Sequence, residues 1–182
     1  MARHRRQVHY GVAGSLDGYI AGRSGEADWI TMDPDIDFAA IFARFDTLLI
    51  GRKTFATMAK PGKKYRSSGG MKTVVFSRTL KPKDYPGVTI VSDRIPETIA
   101  ELKTPPGKDL WLFGGGELFR SLADLGLVDT VSVAVMPIML GGGIPLFPAS
   151  SQRVPLKLTR QRTYEKSGIV SLEYAVLNTR AA

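Results

Sequence analysis

The sequence predicts one α/β domain with a mixed, mostly parallel sheet and an antiparallel hairpin at its C-terminal edge. Segments of strand length alternate with segments of helical periodicity, which is the pattern of parallel βαβ units. Several strand segments are apolar nearly throughout, as expected for strands that are buried on both faces. After Pro137 the pattern changes to two alternating stretches joined by residues 166–168, which predicts the hairpin.

The order of elements follows from these periods. Glycine and proline are spread evenly, so no linker divides the chain, and we expect a single domain over residues 1–182 with its core at about residues 8–178. The predicted strands cover residues 8–14, 47–51, 73–77, 88–92, 110–114, 130–137, 156–164 and 169–177. The predicted helices cover residues 36–45, 52–58, from 93 or 96 to about 102, and 116–125.

The composition excludes several kinds of site. The 182 residues include no cysteine, which excludes disulfides, zinc–thiolate centres and thiol nucleophiles. The two histidines, His4 and His9, both lie near the N-terminus, so we expect no metal centre and no Ser-His-Asp triad. No apolar run approaches the roughly 20 residues that span a bilayer, and no apolar segment follows the basic start as it would in a secretory signal. We therefore expect a cytoplasmic protein with no membrane partner.

Charge is unevenly distributed along the chain. The sequence has 25 Lys and Arg against 17 Asp and Glu, a formal net charge of +8. Residues 52–83 hold ten basic and no acidic residues, whereas residues 26–46 hold six acidic residues and one basic residue, Arg44. Such blocks are either solvated surface or the surroundings of a charged ligand, here one that bears phosphate. A nucleic-acid partner is the least favoured alternative, because aromatic residues are sparse in the basic block and no recognised nucleic-acid motif occurs.

Two predicted turns carry features of a phosphate site. In the first, a buried strand ends at Gly51, and Arg52, Lys53 and Thr54 begin a helix whose free N–H groups favour anions. Two cations at an already positive helix start are unfavourable unless an anion lies between them; the alternative is an exposed Arg-Lys pair.

The second turn, residues 112–119, places three glycines between a strand and a helix. Consecutive glycines lose backbone entropy on folding, so they indicate unusual dihedral angles or close approach of a ligand, although a simple tight turn is the alternative. Leu118 and Phe119 occupy the later positions of the segment, so it is not a GxGxxG fingerprint. Both turns follow predicted parallel strands, and together they could bind a pyrophosphate in one crevice.

These motifs resemble a known superfamily. Residues 50–55, 73–78, 110–119 and 145–148 are similar to dihydrofolate reductase, and residues 15–22, 27–30 and 126–143 to the reductase domain of bacterial riboflavin biosynthesis. The resemblance covers about residues 8–177 and is strongest to stand-alone proteins like the RibD C-terminal domain. It implies a dihydrofolate reductase-like three-layer α/β/α fold with about eight strands, the cofactor NADPH and a homodimer.

The resemblance also implies roles for individual residues. Arg52 stands where the family binds the 2′-phosphate that distinguishes NADPH from NADH, and Ser77 and Arg78 match the segment at the adenosine end. The glycine turn matches a family turn that contains a cis Gly-Gly peptide. The implied cofactor-binding residues are Ala13, Ile20, Gly51, Arg52, Lys53, Thr54, Ser77, Arg78, Gly114, Gly115, Gly116, Glu117, Leu118 and Phe119.

The substrate end departs from dihydrofolate reductase. Asp33, Asp35 and Asp37 all lie near the family's acidic residue, and Asp37 fits best as the catalytic carboxylate; the alternative is that they cap or solvate a helix start. Trp29 and Asp17 are the candidate substrate-binding residues, with a turn-forming Asp-Gly pair as the alternative for Asp17.

We therefore expect an NADPH-dependent reductase of a small polar pterin-, pyrimidine- or riboflavin-precursor-like substrate, similar to 5-amino-6-(5-phosphoribosylamino)uracil reductase. The alternatives are dihydrofolate reduction proper and nucleotide binding without catalysis.

Overall fold

The computed structural model describes residues 5–59, 65, 68–150 and 152–177. Its strands are β1 Val8–Ser15, β2 Tyr19–Ala21, β3 Phe45–Gly51, β4 Lys72–Phe76, β5 Val88–Val91, β6 Asp109–Gly114, β7 Thr130–Met136, β8 Ile144–Pro145, β9 Leu156–Tyr164 and β10 Ile169–Val176. Its helices are α1 Phe38–Ala43, α2 Arg52–Met58, α3 Ile95–Lys103 and α4 Gly116–Asp124, with short 3-10 turns at Ser68–Gly70 and Pro82–Asp84.

Eight strands form one mixed sheet in the order β5-β4-β3-β6-β1-β7-β10-β9. The first six of these strands are parallel to their neighbours, and β10 pairs antiparallel with both β7 and β9. The predicted mixed sheet with a C-terminal hairpin is confirmed. The small second sheet of β2 and β8 was not predicted, because its strands are only three and two residues long.

Helices cover both faces of the sheet, because successive side chains of a buried strand point to opposite faces. In β3, Leu49 packs in the core cluster that includes α3 and α4, whereas Ile50 packs with Phe55 of α2 on the other face. Leu48 shares that second face with α1. The result is three layers, with α3 and α4 on one side and α1 and α2 on the other.

Helix α1 is shorter than predicted. Residues 36–45 were expected to be helical, but α1 begins after its cap Asp37 and ends at Ala43. Phe45, which the helical spacing placed on the apolar face of the helix, is the first residue of β3 and stacks on Trp111 with ring centroids 5.4 Å apart. Six helical residues, none of them buried, leave the sheet beyond α1 uncovered.

Strand β7 was expected to be buried on both faces because its segment is apolar nearly throughout, but its two faces differ. Val131 and Val133 are buried in the core, whereas Thr130, Ser132 and Ala134 are half-buried on the opposite face, where a cavity lies. Both faces of this strand are therefore accounted for within one chain, and the homodimer stays a prediction that rests on the resemblance.

The hairpin of β9 and β10 contains a β-bulge that the sequence pattern does not predict. The pairing of β9 with β10 shifts register between Glu173 and Tyr174, so that Leu158 lies opposite Tyr174 but Arg160 lies opposite Glu173. Thr159 is the extra residue, and its hydroxyl donates to the Glu173 carbonyl at 2.9 Å. This β-bulge reverses the facing of every later residue in β9.

Candidate functional site

A cavity of about 1480 Å³ lies on the α1 and α2 side of the sheet. It runs from the turns that follow β3 and β6 to the face of β7, β10 and β9. Most of the predicted site residues line it: Ala13, Ile20, Asp37, Gly51, Arg52, Lys53, Thr54, Ser77, Arg78, Gly114, Gly115, Gly116, Glu117 and Leu118.

The two predicted turns lie against each other because β3 and β6 are adjacent parallel strands. A Cβ built on Gly51 would lie 3.7 Å from the Gly115 nitrogen, and one built on Gly115 would lie 3.2 Å from Thr54 Oγ1. A side chain at residue 115 would thus enter the narrow space between the turns. The expected crevice at the carboxyl ends of the strands is present.

At residue 116, packing against the 145–148 segment, rather than the space between the two turns, excludes a side chain. A Cβ there would meet Pro148 Cγ at 2.9 Å and the Pro145 carbonyl oxygen at 3.1 Å. Close packing of the 145–148 segment therefore requires this glycine whether or not a ligand binds. The Gly114–Gly115 peptide is cis, as the resemblance implies.

An ion pair joins the two turns across the mouth of the cavity. Lys53 Nζ lies 3.0 Å from Glu117 Oε1, and the two side chains are 72% and 79% exposed. We expected an anion beside the two cations, Arg52 and Lys53, that begin α2. The carboxylate of Glu117 is that anion for Lys53. An exposed pair of this kind contributes little to stability.

Two arginines remain uncompensated at the same end. Among the described residues, the side chains of Arg52 and Arg78 have no ion-pair or hydrogen-bond partner, and both line the cavity. Ser77 organises the loop that carries Arg78, because its hydroxyl accepts from the backbone N–H groups of Thr79 and Leu80 at 3.2 and 3.0 Å. Four other cations of the basic window, Lys60, Lys63, Lys64 and Arg66, lie outside the described residues.

The structure places three predicted site residues away from the cavity. The Phe119 ring stacks on Tyr10 with centroids 4.1 Å apart and belongs to the core. The Trp29 indole donates to the Glu26 carbonyl at 3.2 Å. Asp17 accepts from Ser15 Oγ at 2.6 Å and from two backbone N–H groups of the 140–141 loop, and these hydrogen bonds lower its pKa. Their placement supports packing and loop-holding roles, and gives no support to ligand contact.

The three aspartates before α1 each hold structure. Asp33, only 2% exposed, accepts from Ser167 N at 3.0 Å and Asp35 N at 2.9 Å, and the Ser167 hydrogen bonds keep its pKa below the usual range. Asp35 pairs with Lys166 at 3.0 Å. Asp37 caps α1 by accepting from Ala40 N at 2.9 Å, and of the three it alone lines the cavity.

The far wall of the cavity contains a polar network that sequence reasoning missed. His9 is 4% exposed and lies between two hydroxyls, with Nε2 2.8 Å from Ser132 Oγ and Nδ1 2.6 Å from Thr130 Oγ1. Ser132 Oγ in turn lies 3.3 Å from a Glu173 carboxylate oxygen, which Arg44 contacts at 3.1 Å. Among the described residues, no buried polar side-chain atom lacks a partner.

The charges of this network follow from its surroundings. Burial lowers the pKa of His9 to about 4, and the nearby Arg44 cation adds to that effect, so the imidazole is neutral at pH 7. Burial alone raises the pKa of Glu173, but hydrogen bonding and charge from Arg44 outweigh it and lower the pKa. The wall is therefore a neutral histidine beside a closed ion pair.

A period of two in the sequence could have revealed this wall. In β1, His9, Gly11 and Ala13 alternate with larger core residues, and β7 repeats the pattern with small and hydroxyl side chains. In β10, Ser171 and Glu173 alternate with apolar neighbours. Small and polar residues at alternate positions of three adjacent strands predict one accessible face, which the near-continuous apolar character of the strands obscured.

Comparison with known proteins agrees with this architecture. The family described as the RibD C-terminal domain matches residues 6–170. The Bacillus subtilis (strain 168) protein YyaP, whose function is uncharacterised, is 37% identical over 180 residues, which is 93% of this chain and 95% of that protein. A crystal structure from Shewanella sp. PV-4, of a protein named for riboflavin biosynthesis, has a TM-score of 0.80 and 26% identity, and the match covers 94% of this chain and 99% of that one.

The fold is also that of dihydrofolate reductase. The Enterococcus faecalis enzyme, solved in complex with NADP(H), has a TM-score of 0.69 at 18% identity, over 94% of this chain and 97% of that one. The dihydrofolate reductase-like fold implied by the sequence motifs is confirmed. No helix in the described part of the chain is both long and apolar enough to cross a membrane.

Proposed function

Because this chain belongs to the RibD C-terminal domain family, we propose that it is an NADPH-dependent reductase of a small polar heterocycle. The candidate substrates are pterin-, pyrimidine- or riboflavin-precursor-like compounds, as in 5-amino-6-(5-phosphoribosylamino)uracil reductase. One observation carries the proposal: a single cavity connects two uncompensated arginines and a crevice between two glycine-containing turns to a floor of small side chains. That is the layout required to bring a nucleotide cofactor and a second ring together.

The cofactor end suits the chemistry of NADPH. Arg52 and Arg78 offer guanidinium groups that can bind the 2′-phosphate by charge-assisted, bidentate hydrogen bonds. The start of α4 at Gly116 has no side-chain cap, so its first N–H groups are available to a pyrophosphate in the crevice. When bound, NADPH would supply the hydride.

The substrate end suits a planar polar ring. Ala13, Ser132 and Ala134 form a floor of small side chains on two adjacent strands, which leaves room for a ring beside the Trp111 indole that covers Gly11. Enclosing the ring there aligns it and excludes water from the reacting carbon. The accompanying proton would come from water, which the Asp37 carboxylate can orient by accepting a hydrogen bond at a position left free after it caps α1.

A fluorescence titration tests the cofactor part. Quenching of the protein's fluorescence and energy transfer to the bound nicotinamide report binding. We expect tight binding of NADPH and much weaker binding of NADH. Equal affinity for the two cofactors would contradict the assignment of the arginines, and no binding of either would reject the proposal.

A turnover screen tests the chemistry. With NADPH in excess, oxidation would be followed at 340 nm with dihydrofolate and with 5-amino-6-(5-phosphoribosylamino)uracil. Consumption of NADPH that depends on one of them identifies the reaction. Tight NADPH binding with no turnover of any heterocycle would support nucleotide binding without catalysis instead.

A further inference from the structure

The polar wall of the cavity presents two hydrogen-bond acceptors in one row across the sheet. Gly11 of β1 pairs with Ser132 of β7, and Ser132 pairs with Glu173 of β10. Ser132 and Glu173 both line the cavity, and the Glu173 side chain is 24% exposed. Ala13 and Ala134 lie two residues further along the same strands and therefore on the same face. A ring bound on this floor has one edge toward the two oxygen-bearing side chains.

Glu173 keeps one acceptor position for a ligand. Burial favours its neutral acid, but hydrogen bonding and charge from Arg44 outweigh burial and lower the pKa, so the carboxylate is ionised and can only accept. An ionised carboxylate has about four acceptor positions. Arg44 uses one on each oxygen, at 3.1 and 3.4 Å, and Ser132 uses one on Oε2, at 3.3 Å. Among the described residues nothing else donates to this carboxylate, which leaves a position on Oε1.

Ser132 presents a lone pair to the cavity rather than its proton. Its hydroxyl oxygen lies 2.8 Å from His9 Nε2 and 3.3 Å from Glu173 Oε2. The His9 imidazole is neutral, and Thr130 Oγ1, 2.6 Å from Nδ1, can serve either of its tautomers. When Nε2 donates to Ser132, the hydroxyl proton is directed at Glu173; when Nε2 accepts, the proton is directed at His9. The hydroxyl oxygen keeps a lone pair in both arrangements.

His9 is the residue that positions this hydroxyl. Its side chain is 4% exposed and packs edge-on against Phe45, with ring centroids 5.4 Å apart. A buried ring nitrogen that loses its partner pays the cost of desolvation, so Ser132 stays bonded to His9. The nearby Trp111 indole offers no donor in its place, because its Nε1 already donates to the Gly11 carbonyl at 3.0 Å.

We propose that Ser132 and Glu173, positioned by His9, recognise the substrate ring through two adjacent N–H groups: an amino substituent and the ring N–H beside it. This inference rests on the proposed function, because it takes the floor as the seat of the reacting ring. An edge in which the ring N–H is flanked only by carbonyl groups would place an oxygen against an acceptor and leave both unpaired. The wall therefore selects rings that carry an amino group at this edge.

Calorimetric titration of the NADPH-saturated protein tests this inference with two matched pairs of rings. Pterin and lumazine differ at one carbon, which carries an amino group in pterin and an oxo group in lumazine; 6-aminouracil and uracil differ by one amino group. We expect the amino member of one pair to bind at least tenfold more tightly than its partner, and that pair identifies the ring system. If neither amino ring binds more tightly than its partner, the inference is wrong.

Glu173→Gln decides whether the carboxylate is responsible. Glutamine has one carbonyl oxygen and one NH2 group, so the tenfold preference for the amino ring should be lost. Glu165→Gln is the matched control, because Glu165 is an acid in the turn of the same hairpin and does not line the cavity. An equal loss in Glu165→Gln, or an unchanged preference in Glu173→Gln, would overturn the assignment.

Two further substitutions keep the test decisive if Glu173→Gln does not fold. Ser132→Ala leaves the Arg44–Glu173 ion pair in place and should reduce the preference several-fold, because one of the two acceptors is gone. His9→Leu frees the Ser132 proton and should also reduce the preference, whereas His9→Gln, which can still hydrogen-bond to Ser132, should retain it. If Ser132→Ala keeps the full preference, or if the two His9 variants show the same preference, the roles assigned to these residues are wrong.

The NADPH affinity of the same variants separates the two proposals. It should equal that of the parent, because β10 lies three strand spacings of about 4.8 Å, or about 14 Å, across the sheet from β6 and its glycine turn. If the parent itself fails to bind NADPH, the proposed function fails. Titrations of the four rings without NADPH then still decide whether Ser132 and Glu173 select an amino-bearing edge.

Discussion

The two ends of the cavity are built by opposite means. The end that we propose binds the cofactor, called the cofactor end below, consists of two short chain segments, residues 51–54 and 114–118, in which a strand ends and a helix begins. The far wall is assembled from side chains of Arg44, which caps the end of α1, and of β1, β7, β9 and β10. Its contacts join distant parts of the chain; Arg44 and Glu173, for example, are 129 residues apart in the sequence. The first end offers glycine backbone and unpaired cations, and the second offers a satisfied polar network.

This difference shows what each end can tolerate. A segment that acts through its backbone is sensitive to any added Cβ, whereas a network that acts through side chains is sensitive to loss of a partner or to a change in protonation. The predictions below separate the two ends by those responses, from the largest expected effect to the smallest.

Arg52→Ala tests the unpaired cation at the cofactor end. We expect NADPH binding to weaken by about 1–3 kcal/mol, the range for hydrogen bonds to charged groups, and NADH binding to stay nearly unchanged. Fluorescence titration of both cofactors measures the difference. Because the Arg52 side chain has no partner among the described residues, the melting temperature should not fall. Equal losses for the two cofactors would remove Arg52 from the 2′-phosphate.

His9→Gln tests protonation at the far wall. The His9 pKa is about 4 in the folded protein and about 6.5 when unfolded, so the unfolded state binds more protons between these values. The free energy of unfolding should therefore fall as the pH falls, and this residue accounts for about 2 kcal/mol between pH 7 and pH 4.5. Urea unfolding at both pH values should show a smaller loss in His9→Gln. Identical losses in parent and variant would mean that His9 is not held neutral.

Gly115→Ala tests the backbone character of the cofactor end, with Gly51→Ala as a second, less crowded substitution in the same crevice. The new Cβ at residue 115 would approach Thr54 Oγ1 at 3.2 Å and occupy the crevice, whereas at residue 51 its nearest neighbour is 3.6 Å away. We expect Gly115→Ala to lose at least tenfold in NADPH affinity, about 1.4 kcal/mol. A thermal melt with and without NADPH measures this, because a ligand raises the midpoint in proportion to its affinity. If both variants shift as the parent does, the crevice does not hold the cofactor.

Lys53→Ala and Glu117→Ala test the pair that joins the two turns. Both side chains are largely exposed, so a double-mutant cycle by urea unfolding should give a coupling energy below about 0.5 kcal/mol. The pair should weaken further in 1 M salt. A coupling above about 1 kcal/mol would indicate that the pair holds the turns together rather than crossing a solvated mouth.

The sequence by itself determined the elements that local signals specify. Apolar runs and turn residues predict the strands and the hairpin. The segments Gly51–Thr54 and Gly114–Gly116 predict the cofactor end, because in each of them a strand end, a glycine and a helix start follow one another directly. The resemblance motifs lie in the same contiguous segments. These features survive folding unchanged because neighbouring residues alone create them.

Only the tertiary structure decided the far wall. Nothing local distinguishes Asp37 as a helix cap from Asp37 as a catalytic acid, and Phe45 fits a helical period although pairing with β6 draws it into the sheet. The bulge at Thr159 appears only in the pairing with β10, where Leu158 lies opposite Tyr174 but Arg160 lies opposite Glu173, so that β9 absorbs one residue between them. Long-range pairing therefore chose which face Arg160 and Arg162 occupy, and no period in the sequence could specify it.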